Sequence, residues 1–175
     1  MLEIEDKAWE FAVKAYGKQT DWTGRKYARI LHVNNVARTS KEFAMRGNAY
    51  YQNNIELVGA VAYLHDILEH TQIKENELRN SFPNEVVMAV VAITKREEET
   101  YGEYLKRLEK NKIARLVKMC EMKYRYDDLN RIYKLRIFKL KDEDFKRQDF
   151  YHRVWRYIWG NGNWLYCESS RGEES

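Results

Sequence analysis

Apolar residues recur at helical spacing along most of the 175-residue chain. In residues 3–16 and 25–45 they lie three or four positions apart among charged residues, which predicts two amphipathic helices. Residues 55–70 are almost continuously apolar and predict a central buried helix. Further helical patterns cover 73–80, 85–93, 101–110, 112–126 and 142–159. The intervening segments 17–24, 46–54 and 94–100 are polar and are predicted to be loops.

Turn-forming residues are scarce: the chain has one proline and eight glycines. No Asn-Gly or Asp-Gly pair lies between two alternating apolar strands, so β-hairpins are not expected. The sequence shows no repeat and no linker. We therefore predict an all-α fold, a single compact multi-helix bundle over residues 1–160, followed by a short C-terminal tail at 161–175.

Composition narrows the class of protein. The chain is 44% hydrophobic and 33% charged, as soluble globular domains are, and it lacks an apolar run long enough to span a membrane. The N-terminus has no signal-peptide pattern, and the two cysteines are far apart, so we expect a cytoplasmic protein with no membrane partner. A net charge of +4 suits an anionic partner but is low for a dedicated nucleic-acid binder.

The stretch VAYLHDILEHT at 61–71 places ionisable groups inside an apolar run. In a continuous helix His65 aligns with Glu69, and Asp66 aligns with His70 beside them. Isolated buried charges are unfavourable, and a divalent cation would compensate them, because imidazole and carboxylate are both metal ligands. A core histidine with a satisfied hydrogen bond is the alternative interpretation.

Two further residues have the right chemistry. His32 lies in ILHVNNVA and Glu121 in ARLVKMCEMKY, each among apolar residues of another predicted helix. Together with His65 and Asp66 they would give two imidazoles and two carboxylates from three helices. Sites of this kind are built in bundle cores from facing helices.

The order and surroundings of these residues resemble the HD superfamily of metal-dependent phosphohydrolases, in particular small hydrolases similar to the RelA/SpoT hydrolase domain. The resemblance covers roughly residues 5–160. It is carried by AVKAYGKQTDWTG (12–24), VAYLHDILEHTQIKENEL (61–78), the stretch from FPNEVV to RYDDL (82–129) and DEDFKRQDFYHRVWRYIWG (142–160).

The resemblance implies an HD-domain bundle that hydrolyses a nucleotide, with a guanosine tetraphosphate-type 3′-pyrophosphohydrolase as the finer expectation. It implies manganese as the first choice of cofactor, with Fe, Zn or Mg as alternatives. The metal ligands would be His32, His65, Asp66 and Glu121. A homodimer is compatible with the aromatic residues near the C-terminus.

The remaining site residues follow from the same resemblance. Glu69 would orient or deprotonate the attacking water. His70 would act as a general acid or a phosphate contact, or else lie on the helix surface. The substrate-binding candidates Lys95, Arg96 and Tyr101 would lie near the nucleotide, unless they form only a solvated loop.

Several positions depart from the family pattern. Glu121 replaces an aspartate ligand, His70 an acidic residue, Tyr16 a histidine and Arg125 an asparagine. Arg125, also a substrate-binding candidate, could pair with phosphate, or with Glu121 in the place of the metal. The alternative function is therefore a degenerate HD domain that binds a nucleotide or a protein partner without turnover.

A third hypothesis comes from RIYKLRIFKLK at 131–141, where basic residues recur. Exposed together, they would give a salt-dependent affinity for nucleic acid. We interpret this stretch instead as the surface of a helix or connection.

Overall fold

The structure, a computed structural model, describes residues 3–17, 19, 28–135 and 141–160, with side chains described up to 130 and again from 141. These ranges contain helices and no strand. In chain order the helices are α1 (Ile4–Tyr16), α2 (Ala28–Arg46), α3 (Ala49–Asn53), α4 (Ile55–Leu64), α5 (Ile67–His70), α6 (Glu75–Ser81), α7 (Asn84–Ile93), α8 (Tyr101–Leu108), α9 (Lys112–Leu135) and α10 (Asp142–Trp159). The predicted all-α bundle is confirmed.

The polar segment 46–54, predicted to separate two helices, does so, and it also contains a short helix, α3. Asn48 starts this helix: its side-chain Oδ1 accepts hydrogen bonds from the backbone N–H groups of Tyr50 and Tyr51, at 3.1 and 3.4 Å. Asparagine is a favoured N-cap because its side chain satisfies backbone donors that the first turn leaves unpaired. The capping residue was thus the signal in the sequence.

The prediction of one continuous helix over 55–70 is wrong. Helix α4 ends at Leu64 and α5 begins at Ile67, with His65 and Asp66 in the turn between them. Asp66 has φ −95° and ψ 0°, in the sparsely populated bridge region where active-site residues are often found. The sequence does not predict the turn at His65 and Asp66, because the apolar run continues from α4 into α5.

Helix α4 lies at the centre of the bundle and packs against α1, α2, α7 and α9. Its residues Val58, Val61 and Leu64 have no exposed surface. Four residues of α9 are buried as well: Ile113, Leu116, Val117 and Cys120. Burial on this scale supplies most of the stability of a small helical domain, so the end of α4 at Leu64, next to His65, is held firmly in place.

Arg107 of α8 fixes the segment 94–100 that joins α7 to α8. Its guanidinium pairs with the Glu99 carboxylate and donates hydrogen bonds to backbone carbonyls at the end of α7. Thr100 and Glu103 cap the start of α8 by exchanging side-chain and backbone hydrogen bonds. The segment is therefore an ordered connection.

Helix α9 continues to Leu135, beyond the predicted end at 126. Residues 25–27 of the predicted second helix, most of the loop 17–24, and the tail 161–175 lie outside the described residues. The same holds for the side chains of the basic stretch 131–140. No helix in the described ranges is long and apolar enough to cross a lipid bilayer.

Candidate metal centre

His65 has the hydrogen-bonding pattern of a metal-ligating histidine. Its Nδ1 lies 2.7 Å from the carbonyl oxygen of Ala62, which an N–H at Nδ1 would contact as donor. Its Nε2 is buried and has no hydrogen-bond partner in the part of the chain that the structure describes. A backbone carbonyl that holds one ring nitrogen leaves a lone pair on the other, and metal-bound histidines are usually oriented in this way.

The turn between α4 and α5 brings Asp66 beside His65, and α2 brings His32 to the same place. His65 Nε2 lies 3.3 Å from Asp66 Oδ1, and His32 Nε2 lies 3.8 Å from Asp66 Oδ2. One ligand atom from each of the three residues lies within 4.8 Å of the other two. The structure therefore brings together three of the four predicted ligands.

These three side chains fit a divalent cation. His65 Nε2 is an orphaned buried atom, and two imidazoles with one carboxylate form a donor set common to Mn, Fe and Zn sites. His65 and Asp66 are buried, and the His32 side chain is only 13% exposed. A cation in this position would satisfy Nε2, which none of the described groups satisfies.

Glu121, the fourth predicted ligand, is not part of this converging set. It is buried on α9, and both of its oxygens face cations. Oε1 accepts a hydrogen bond from Arg125 Nε at 2.6 Å, and Oε2 lies 3.0 Å from Lys118 Nζ. The Lys118 contact is an ion pair whose geometry falls short of a hydrogen bond. Glu121 is thus engaged by its own helix.

Arg125 extends from Glu121 into the three-residue cluster. Its Nη2 lies 3.4 Å from His32 Nε2 and 3.8 Å from Asp66 Oδ2. Its guanidinium also lies over the ring of Tyr151, 5.9 Å from the centroid. A positive charge of the protein itself therefore borders the atoms that would hold the metal.

Sequence reasoning missed two cations of the site. Arg29 Nη1 lies 2.5 Å from Asp66 Oδ2, and Lys118 contacts Glu121 as described above. Each lies three positions before a predicted ligand, Arg29 before His32 and Lys118 before Glu121. Residues three apart lie on one helical face, so this spacing was the available signal.

The surrounding charges dominate the electrostatics of the buried carboxylates. Burial alone would raise the pKa of Asp66 and Glu121, but neighbouring imidazoles and cations hold both well below their usual values. The pKa of His32 is well below its usual value because of burial and, next, because of the nearby charge of Arg125. His32 is therefore neutral near pH 7, as metal coordination requires.

The two predicted catalytic residues lie just beyond the cluster, on α5. Glu69 Oε1 accepts a hydrogen bond from the backbone N–H of Lys95 at 2.9 Å. Although part of its surface is exposed, desolvation raises the pKa of Glu69. His70 is exposed, and desolvation lowers its pKa. The structure therefore brings Glu69 to the start of the segment that carries two substrate-binding candidates.

The substrate-binding candidates Lys95 and Arg96 follow α7, and Tyr101 begins α8. Arg96 is exposed, and its backbone N–H donates to Glu99 at 3.0 Å. The ring of Tyr101 packs against Tyr104 and Phe150, and Tyr101 influences the pKa of Lys118. Tyr16, which stands where the resembling family has histidine, is buried, and desolvation and Asp66 raise its pKa.

Comparison with known proteins adds a structural likeness. No protein-family model and no curated protein sequence matches the chain. A solved structure that resembles it is that of a metazoan ortholog of SpoT that hydrolyses ppGpp and plays a role in starvation responses. The two share 20% sequence identity with a TM-score of 0.59, over 90% of this chain and 84% of that one. The likeness shows that the chain has the helical fold of that hydrolase.

Proposed function

We propose that the chain is a metal-dependent phosphohydrolase that acts on a nucleotide. The observation that carries this proposal is the convergence of His32, His65 and Asp66, with a buried Nε2 atom of His65 that has no hydrogen-bond partner among the described residues. The fold shared with a ppGpp hydrolase supports it. A guanosine tetraphosphate-type substrate, manganese as the ion, a cytoplasmic location and a homodimer are finer parts of the same proposal.

His32, His65 and Asp66 would hold the ion, with Glu121 as the fourth ligand once Arg125 releases it. A bound divalent ion supplies hydroxide near neutral pH and polarises a phosphoryl oxygen. His65, Asp66 and Glu121 are buried, so little water surrounds the side chains that would hold the ion. Low polarity around a charged site strengthens each electrostatic contact within it.

Glu69 would accept the proton of the attacking water. Its raised pKa makes it a better base than an ordinary carboxylate, and the hydrogen bond from the Lys95 amide fixes one of its oxygens. His70 would donate a proton to the leaving group or contact a phosphate. Lys95, Arg96, Tyr101 and Arg125 would contact the nucleotide or its phosphates.

The test is a turnover assay. Purified protein with Mn²⁺ is incubated with a panel of nucleotides, including purine nucleotides that carry a pyrophosphate, and the release of phosphate and pyrophosphate is measured. Asp66→Asn, which removes a ligand charge with little change in shape, is the inactive control. Release by the wild type and not by Asp66→Asn supports the proposal, whereas no release from any nucleotide contradicts it.

The contact between Arg125 and Glu121 favours a second candidate, a domain that binds a nucleotide or a protein partner without turnover. In this function the guanidinium of Arg125 supplies the positive charge that a metal ion would otherwise supply. The triple variant Glu121→Asp, His70→Asp, Arg125→Asn restores the residue types of the resembling family. Turnover by the variant and none by the wild type would support the second candidate, and turnover by the wild type would exclude it.

A further inference from the structure

Among the residues that the structure describes, the charges around the cluster are unbalanced in favour of cations. Two buried carboxylates, Asp66 and Glu121, face three cationic side chains, Arg29, Arg125 and Lys118. A divalent ion added to this group leaves an excess of three positive charges, of which Glu69 offsets one. Uncompensated charge in a buried site is strongly unfavourable, so the metal-loaded site requires an anion.

The two arginines and the metal need the same carboxylate. Arg29 Nη1 lies 2.5 Å from Oδ2 of Asp66, and Arg125 Nη2 lies 3.8 Å from that atom. Arg29 comes from α2 and Arg125 from α9, so they reach Asp66 from separate helices. When Asp66 binds a cation, both guanidiniums lose part of their counter-charge while remaining beside the ion.

We propose that the metal and the arginines exchange partners, so that Arg29 and Arg125 form a clamp for a tetrahedral oxyanion, such as a phosphoryl group, only once the metal has taken Asp66. This inference rests on the metal site of the proposed function. It assigns Arg29 as an anion-binding residue, and it makes the binding of metal and of anion mutually dependent. Arginine suits this role because its planar fork donates two parallel hydrogen bonds to an oxyanion.

Two effects of opposite sign follow for Arg29. Without an anion, Arg29 competes with the metal for Asp66, so its removal should tighten metal binding. With an anion, Arg29 stabilises the ternary complex, so its removal should weaken the coupling between the two ligands. A residue with a merely structural role would not change the two quantities in opposite directions.

The experiment measures Mn²⁺ affinity with and without saturating inorganic phosphate, by electron paramagnetic resonance of free Mn²⁺. A protein-free titration corrects for the weak complex of Mn²⁺ with phosphate. For the wild type, phosphate should lower the dissociation constant of Mn²⁺ about tenfold or more, and by reciprocity Mn²⁺ should tighten phosphate binding by the same factor. For Arg29→Gln without phosphate, Mn²⁺ should bind severalfold tighter, and the effect of phosphate should fall below about threefold.

Arg38→Gln is the matched control, because Arg38 also lies on α2 but pairs with exposed Glu42. It should behave as the wild type does. If Arg29→Gln does not fold, Arg29→Lys is used: it keeps the charge but lacks the planar fork, so Mn²⁺ affinity should change little while the coupling falls. Coupling that survives in the Arg29 variants, or a wild type in which phosphate leaves Mn²⁺ affinity unchanged, overturns the proposal.

The experiment separates this inference from the proposed function, because it needs no turnover. If the protein hydrolyses nucleotides but phosphate does not change its Mn²⁺ affinity, the proposed function stands and the arginine clamp is wrong. If phosphate tightens Mn²⁺ binding but no nucleotide is hydrolysed, the arginine clamp stands and the proposed function is wrong.

Discussion

Nε of Arg125 donates a hydrogen bond to Oε1 of Glu121 across one turn of α9, at 2.6 Å. The same guanidinium approaches His32 and Asp66, so one side chain borders three of the four predicted metal ligands. Arginine keeps its charge at every physiological pH, and Glu121 and Asp66 raise its pKa further despite its burial. Only movement of the side chain, and not deprotonation, can vacate this position.

Replacing Arg125 with asparagine should strengthen metal binding. The change removes a positive charge next to the ligand atoms and frees Glu121 to approach the ion. We expect the Mn²⁺ dissociation constant without phosphate to fall about tenfold or more, which corresponds to roughly 1.4 kcal/mol. Calorimetric titration measures it. Lys123→Gln, which removes a cation from the exposed side of the same helix, should leave the affinity unchanged; an equal gain there would show that overall charge alone is responsible.

Metal should stabilise the folded chain. At a free Mn²⁺ concentration 100 times its dissociation constant, binding adds about 2.7 kcal/mol. For a domain of this size the melting temperature should then rise by about 5–10 °C, and a chelator should reverse the rise. His65→Gln should lose the shift, because it removes the buried Nε2 ligand atom. His152→Gln, which changes a histidine stacked on Trp155, should keep it. A shift that persists in His65→Gln would place the bound ion elsewhere.

Lys118 and Glu121 should be coupled in stability. Glu121 is buried and the Lys118 side chain is only 13% exposed, so removal of either would leave the charge of the other with less compensation. Lys118→Met and Glu121→Gln should each destabilise the metal-free protein by up to about 3–5 kcal/mol, which is typical of breaking a buried ion pair. The double variant should lose clearly less than the two single losses together. Urea unfolding measures all four proteins, and additive losses would contradict the coupling.

Glu99 should make stability depend on pH in the acid range. Its hydrogen bond from Arg107 lowers the pKa of Glu99 from 4.5 to about 2. The unfolded chain therefore takes up the proton first, so the stabilisation is complete above about pH 4.5 and is lost as the pH falls towards 2. Glu99→Gln should be less stable than the wild type at pH 7 by about 1–2 kcal/mol, with the difference shrinking over this range.

Urea midpoints of both proteins between pH 7 and pH 2.5 measure this difference. Glu98→Gln, a change at the neighbouring exposed residue, is the control and should follow the wild type throughout. A constant gap between Glu99→Gln and the wild type across the range would mean that the pairing with Arg107 contributes no charge effect.

Most helices were predictable from the sequence, because the apolar residues that form their buried faces recur at helical spacing. The inward residues of α9 and the apolar run of α4 show this directly. The break at His65 and Asp66 was not predictable in this way, since both sides of the turn are buried. Hydrophobic periodicity predicts which face of a helix is buried, but it cannot locate a turn in a segment whose residues are apolar on every face.

The candidate site could be predicted only as far as residue types reveal it. His32, His65 and Asp66 were found because imidazoles and carboxylates are rare among apolar neighbours. Arg29 and Lys118 were missed because basic residues are common on helix surfaces; their spacing of three positions from a predicted ligand places them on its helix face but does not show that they contact a carboxylate. The engagement of Glu121 by Lys118 depends on how α9 packs, which a linear pattern does not contain.

The hydrogen bond from the Lys95 amide to Glu69 offers a spectroscopic view of the site. The chemical shift of that single amide depends on whether its acceptor is ionised, protonated or drawn away. In a nitrogen-15 spectrum, the Lys95 signal would therefore record the titration of Glu69 and its response to metal or nucleotide. The chemical shift of the Lys95 amide would thus report the ionisation of Glu69, the proposed base, even if the protein has no hydrolase activity.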